Sequence, residues 1–318
     1  MAQALSVINI AENRIASREK PSHAVLIWWR RIYLGKVNSM ISDAIPQKDV
    51  KIVEVLSASD LNPKYLQCVM VYISSWLSIP VQNQVRFLPK VLIVASSIPD
   101  SLREYSDYLL LINPLEMPTA FVAQAARIIE PRNSIADFVM TSDIDMLPLN
   151  VDFETSIINS KSLNQDSFFI LRDVLKPGQF PICYNLARPK AWRSLIKRYG
   201  SESETSKILS DILKENGGNS AYSGLHGGKG WSIDQETLWN LVQDNTDKIQ
   251  FKSFTDHQTA HRRLDRSSHR GFIKWLVLPL VFFGYFHDYH VHHPVDSNRL
   301  YIRTLIKIRN LGFGLKRS

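Results

Sequence analysis

Residues 136–149, ADFVMTSDIDMLPL, run from a short apolar segment into two aspartates, Asp143 and Asp145, separated by Ile144. The segment 137–141, DFVMT, is short, apolar and bounded by polar residues, the pattern of a buried strand. It enters Ser142-Asp143-Ile144-Asp145 directly, so the acidic pair stands at the carboxyl end of a strand. Open α/β sheets place their ligands there. Two aspartates at i and i+2 of a turn can both reach one cation and its waters, while Ile144 turns back into the core. Hard cations such as Mg²⁺ or Mn²⁺ take carboxylate oxygens and keep several waters. An ion of this kind bridging a diphosphate neutralises the leaving group, as Lewis acid and as template.

Working outward, similar apolar runs occur at 24–28, 50–56, 90–95 and 108–112 before the acidic turn, and at 168–172 and 182–187 after it. Helical patterns lie between some of them, at 63–75, at 119–129 with Thr119 available as a cap after Pro118, and at 201–215. Strands alternating with helices predict an α/β fold: a mixed, mainly parallel sheet flanked by helices. Residues 216–230, NGGNSAYSGLHGGKG, contain six of the chain's 13 glycines and predict a binding loop or lid. Trp231-Ser232-Ile233-Asp234-Gln235 follows and opens a helix.

The formal charge of +8 is unevenly spread. Residues 1–251 carry 26 basic and 26 acidic side chains, whereas 252–318 carry 12 and 4, so the whole excess lies in the last segment. Such a surface attracts phosphates or anionic lipid. The two cysteines, Cys68 and Cys183, form no C-x-x-C pair, which excludes a zinc ribbon or disulfide framework and suits a reducing compartment. The N-terminal residues lack the apolar core of a signal peptide. The longest apolar run, 275–286 (WLVLPLVFFGYF), is shorter than the ~20 residues of a spanning helix and is interrupted by Pro279 and Gly284. It reads as buried core, and its basic flank also suits contact with a membrane interface. The expected location is cytoplasmic, with peripheral contact at the inner face of a membrane through Phe282, Phe283 or residues 311–315. No Walker sequence, zinc spacing or RNP-like strand is present, so no nucleic-acid partner is expected.

The segment ADFVMTSDIDMLPL resembles the metal-binding core of the D-x-D nucleotide-sugar glycosyltransferases of the GT-A fold. The resemblance is at the level of motifs and spans roughly Thr119 to His293. It implies a GT-A-like fold with a basic C-terminal extension, Asp143 and Asp145 as ligands of Mn²⁺ or Mg²⁺, and Arg127 and Ser142 as contacts to the donor. It divides the chain into a donor-binding and catalytic part, 1–251, and a basic segment, 252–318, that completes the site. Gly230-Trp231-Ser232-Ile233-Asp234-Gln235 resembles the acceptor-side segment. Asp234 is its candidate general base, a role that needs a carboxylate within hydrogen-bond reach of the acceptor hydroxyl. Enzymes of this fold often complete the metal site with a late histidine or acid. Here 286–293, FHDYHVHH, offers His290 or His292, whose neutral imidazoles suit Mn²⁺. Lys229 and Arg263 are candidate contacts to the diphosphate, arginine being suited to bidentate phosphate recognition. The implied activity is transfer of a hexosyl or pentosyl group from a UDP- or GDP-sugar to a glycan or lipid-linked acceptor, in glycan or polysaccharide synthesis. The alternatives are another Mg²⁺- or Mn²⁺-dependent nucleotidyl or phosphoryl transfer enzyme, or a non-catalytic nucleic-acid binder using the basic tail.

Overall fold

The computed structural model describes residues 50–200, 202–224, 227–267 and 273–315. Chain contacts separate Met1–Lys48 from Asp49–Ser318. The strand expected at 24–28 lies outside the described residues.

Seven strands form the main sheet: β1 (Lys51–Asp60), β2 (Val85–Val94), β3 (Leu109–Ile112), β4 (Phe138–Thr141), β6 (Ser167–Ile170), β7 (Asn185–Ala187) and β8 (Gln250–Ser253), in the order β3-β2-β1-β4-β7-β6-β8. The first four are mutually parallel, β7 is antiparallel to both its neighbours, and β8 is parallel to β6. This is the mixed, mainly parallel sheet that the alternation of elements predicts, in the GT-A-like form that the resemblance implies.

The period of two along the strands sorts side chains onto two apolar layers. Val53 and Val55 of β1 and Phe138 and Met140 of β4 pack on one face, with the helices Pro63–Leu77 and Val295–Leu315. Leu56, Ala58 and Val139 pack on the other, with Thr119–Ile129, Pro189–Leu195, Thr205–Glu215 and Ile233–Gln243. Thr119–Ile129 buries Phe121, Val122, Ile128 and Ile129. At roughly 1.5–3 kcal/mol for each such side chain, this burial drives the docking that carries Arg127 below the surface with the helix. Thr119 does not cap this helix; Pro118 holds that position without a side-chain bond, and the Thr119 hydroxyl donates to Asp60 Oδ2 at 3.0 Å.

A second sheet is made by β5 (Met146–Pro148), β9 (Arg263–Leu264) and β10 (Asp288–His290), in the order β5-β10-β9. β10 runs antiparallel to β5, with His290 opposite Met146, and parallel to β9, with Asp288 opposite Arg263. The basic C-terminal segment is thus woven into the strand that follows the acidic turn. Arg309, buried on the last helix, ties that helix down by donating to the carbonyls of Pro148 (2.7 Å) and Ser75 (3.1 Å).

The run 275–286 folds as two short helices, Ile273–Leu276 and Leu278–Phe282, rather than as continuous core. Val277 and Val281 are buried, while Leu276, Leu280 and Phe283 face outward.

Candidate active site

The acidic turn is built by backbone bonds at the end of β4. Ser142 N donates to Leu56 O (2.9 Å), which carries the β1–β4 pairing one residue past the strand. Met146 N closes the turn on Asp143 O (3.1 Å). Ile144 is buried in the core, as the i, i+2 reading requires. Ser142 is fully buried, with its hydroxyl on Asp143 O at 3.3 Å. Ser142, expected as a donor contact, lies at 0% exposure inside the turn.

β10 delivers the C-terminal histidines. Val291 N donates to Asp145 O (2.9 Å), which brings His290 alongside, with Nε2 3.1 Å from Asp145 Oδ2. His290 Nδ1 meets Asp265 Oδ2 at 3.1 Å, Arg266 Nη1 lies 3.3 Å from Asp145 Oδ2, and His293 Nε2 lies 3.8 Å from the same oxygen. Burial alone would raise the Asp145 pKa, but His290, His293 and Arg266 outweigh it and hold the carboxyl well below the usual range. His290 is correspondingly raised: its own burial works against protonation, and Asp145 prevails. His292 turns the other way, with Nδ1 2.6 Å from the Tyr289 hydroxyl and its ring stacked on that tyrosine. β10 ends at His290, so strand alternation does not extend to the next residues, and His293 stands beside Asp145 instead.

Among the described residues, no three His, Cys, Asp or Glu side chains stand at metal-ligand geometry. The donor set beside Asp145 still fits a divalent cation chemically. Two imidazole Nε2 atoms converge on one carboxylate oxygen, His290 at 3.1 Å and His293 at 3.8 Å, and among the described residues neither buried ring nitrogen of His293 has a partner at full hydrogen-bond distance. Asp265 holds the far nitrogen of His290, the outer carboxylate that commonly orients a ligating histidine.

Asp143 faces Arg127. Nη1 of Arg127 pairs with Asp143 Oδ1, and Nη2 lies 3.3 Å from Asp234 Oδ2. Arg127 is 8% exposed and Asp234 3%, so the guanidinium is a buried bridge between the acidic turn and the start of the helix Ile233–Gln243. Burial pushes the Asp234 carboxyl up to about 6, against the pull of Arg127. Its other oxygen accepts from Gln235 N at 2.9 Å. Both oxygens of Asp234, the expected general base, are thus engaged, one by Arg127 and the other by the Gln235 amide.

Arg263 is likewise spent within the protein. Arg263, expected as a diphosphate contact, grips Asp288 with two bonds, Nε to Oδ1 at 3.0 Å and Nη2 to Oδ2 at 2.9 Å. The residues that do reach Asp145 are Asp265, through His290, and Arg266, from the same basic stretch. Lys229 donates to Ser220 O at 3.2 Å within the glycine-rich loop.

Two clefts flank the turn after β1. One, of about 650 Å³, lies beyond the carboxyl ends of β1, β2 and β3, lined by Asp60, Asn62, Val94, Ser96, Asn113 and Thr119 among others. The other, of about 570 Å³, adjoins the Asp145 cluster and is lined by Lys64, Arg266, Lys274, His292, His293 and Asn298, with Ser267. The segment Asp60–Lys64 contributes to both, and among the described residues no carboxylate lines the second. Tyr222, whose hydroxyl donates to Gln124 at 2.8 Å, sits in the fields of Asp60, Asp234 and Arg127.

The sequence matches no protein-family model and no curated protein. Partial likenesses occur among solved structures. The glycosyltransferase GlyE of Streptococcus pneumoniae, in its apo form, shares 15% identity at a TM-score of 0.42 over 84% of this chain. This chain spans 64% of the length of that protein. The galactosyltransferase LgtC, in complex with donor and acceptor sugar analogues, shares 12% identity at a TM-score of 0.39, over 80% of this chain and 95% of LgtC. Mouse xyloside xylosyltransferase 1 in its apo form shares 10% identity at 0.38, over 77% and 98% of the two chains.

Proposed function

We propose that this chain is a metal-dependent glycosyltransferase that moves a sugar from a UDP- or GDP-sugar to a glycan or lipid-linked acceptor. The observation that carries this reading is the meeting of Asp145, His290 and His293 at the carboxyl end of a parallel strand. Asp145 lies 145 positions from His290, and one of its buried carboxylate oxygens faces two imidazoles and an arginine, more positive partners than holding a turn requires. Asp145, His290 and His293, with Asp143 alongside, would hold Mn²⁺ or Mg²⁺. When bound there, the ion supplies charge neutralisation to a departing diphosphate.

The remaining groups divide the substrate between them. The cleft beyond β1–β3 suits a nucleoside, with Asp60 and Asn113 as hydrogen-bonding groups at an open sheet edge. The second cleft presents Lys64, Arg266 and Lys274 with no opposing carboxylate, an environment that favours phosphate oxygens. Arg127 and Asp234 act as positioning residues: they hold Asp143 from behind, so the two aspartates keep a fixed spacing. The glycine-rich segment leads into the helix that carries Asp234.

The test is a thermal-shift and donor-hydrolysis titration of a nucleotide-sugar panel with and without Mn²⁺. The expected result is a metal-dependent response to one donor class that Asp145→Asn and His293→Ala each reduce by about tenfold or more. A response to no donor, or one that both variants leave intact, removes the proposal.

A further inference from the structure

The outward faces of the two short helices and the last helix form one apolar surface. Phe283 is 74% exposed, Leu276 61% and Leu315 62%, with Leu280 and Leu311 also exposed. Leu276, Leu280 and Phe283 recur at helical spacing across Ile273–Leu276 and Leu278–Phe282. Their backbone touches the last helix directly, because a Cβ at Gly312 would lie 2.1 Å from Phe282 O. Leu311 and Leu315 flank that contact on Val295–Leu315.

The exposed charge on the last helix beside this surface is mainly basic. On the last helix Leu300, Arg303, Lys307, Leu311 and Leu315 share an exposed face, as their spacing of three, four and eleven residues requires. The helix's one acidic residue, Asp296, is paired with Arg299 at 2.6 Å. Lys274 and Arg262 complete the border, lying over the rings of Tyr301 and Tyr285. Among the described residues no helix is long and apolar enough to cross a membrane.

From this surface we propose that the chain docks on an anionic lipid bilayer through Leu276, Leu280, Phe283, Leu311 and Leu315, with Arg303 and Lys307 on the headgroups. Apolar side chains set in a cationic border give the two signals, insertion and electrostatic attraction, that stable peripheral binding takes. A protein groove that accepted the leucines and Phe283 would also have to supply carboxylates along the whole border, whereas an anionic bilayer presents negative charge at every position. Lys274 and Asn298 line the cleft beside Asp145 and are bonded to each other at 3.3 Å, so that cleft opens next to the docking face. Docking is independent of the donor chemistry proposed above.

The test is co-sedimentation of the full chain with vesicles of phosphatidylcholine alone and with phosphatidylglycerol added, at low and high salt. The expected result is binding to the anionic vesicles only, weakened by salt. It should weaken about tenfold in Phe283→Asp and in Lys307→Glu, with melting temperatures unchanged because these side chains are exposed. No binding to anionic vesicles overturns the proposal, as does binding that Phe283→Asp leaves intact. Concentration-dependent dimerisation abolished by Phe283→Asp, without vesicle binding, would assign the surface to a second copy of the chain and overturn it equally.

Discussion

Asp288→Asn tests whether the small sheet holds the candidate metal site in place. Asp288 is 1% exposed and bonded to both arms of Arg263, accepts from the Tyr184 hydroxyl at 3.0 Å, and lies 3.3 Å from His261 Nε2. The Arg263–Asp288 pair lies across the β9–β10 register. Two and three residues beyond Arg263 stand Asp265 and Arg266, and two beyond Asp288 stands His290. The pair therefore sets how the strand bearing His290 lies against the loop bearing its partners. Breaking a buried ion pair on one side costs about 3–5 kcal/mol because the other charge is left behind. Asparagine keeps one acceptor oxygen, which places the loss near the lower end, about 3 kcal/mol. At about 2–4 °C for each kcal/mol in a unit of this size, the melting temperature should fall by roughly 6–12 °C. Affinity for Mn²⁺, followed by thermal shift against metal concentration, should fall by about 10–100-fold, the range for lost outer-shell support. Replacing both charges together, Arg263→Met with Asp288→Leu, should restore much of the stability but not the metal affinity. A single variant that melts with the wild type and binds Mn²⁺ equally well would refute the idea that this pair aligns the site.

Two further outcomes are expected. Burial raises the Glu154 carboxyl to about 7, and its Oε2 has no hydrogen-bond partner among the described residues. Between its ordinary value of 4.5 and about 7 the folded chain binds more protons than the unfolded one, so this group makes stability fall as pH rises through that window. Glu154→Gln should remove that slope and raise stability at pH 8 by roughly 1–3 kcal/mol in denaturant titrations; an unchanged slope refutes the assignment. Gly230, at φ +76°, has no room for a side chain, since its Cβ would lie 2.5 Å from Ala221 O. Gly230→Ala should displace the start of the Asp234 helix, lower the melting temperature and reduce turnover, and normal values for both would show that the loop relaxes freely.

Expectation and structure diverge mainly at the side chains. Arg127 meets Asp143 and Asp234, and Asp145 meets His290, so the residues form two groups on either side of one acidic turn. Arg263 looked like a phosphate ligand because a solvent-facing arginine and one gripping a buried aspartate have the same signature in one dimension. His293 and Arg266 carried a signal, the histidine cluster and the basic stretch, but nothing local marked the member that would face Asp145. The cleft at Asp60 has no linear motif, because its lining comes from the ends of three strands that neighbour only in the sheet.

By itself the sequence determined what local periodicity and charge encode: the parallel strands, the helix over Thr119–Ile129, the acidic turn at a strand end and the basic C-terminal segment. These depend on residues a few positions apart, where backbone geometry fixes the outcome. Only the tertiary structure decided which charges meet. Asp145 faces His290 and Arg266 because β10 pairs with β5, and Arg127 faces Asp234 because two helices dock on one face of the sheet. Both contacts join residues more than 100 positions apart. Packing, not spacing, sets such distances, and it also left Phe283 outside the core although it belongs to the most apolar run of the chain.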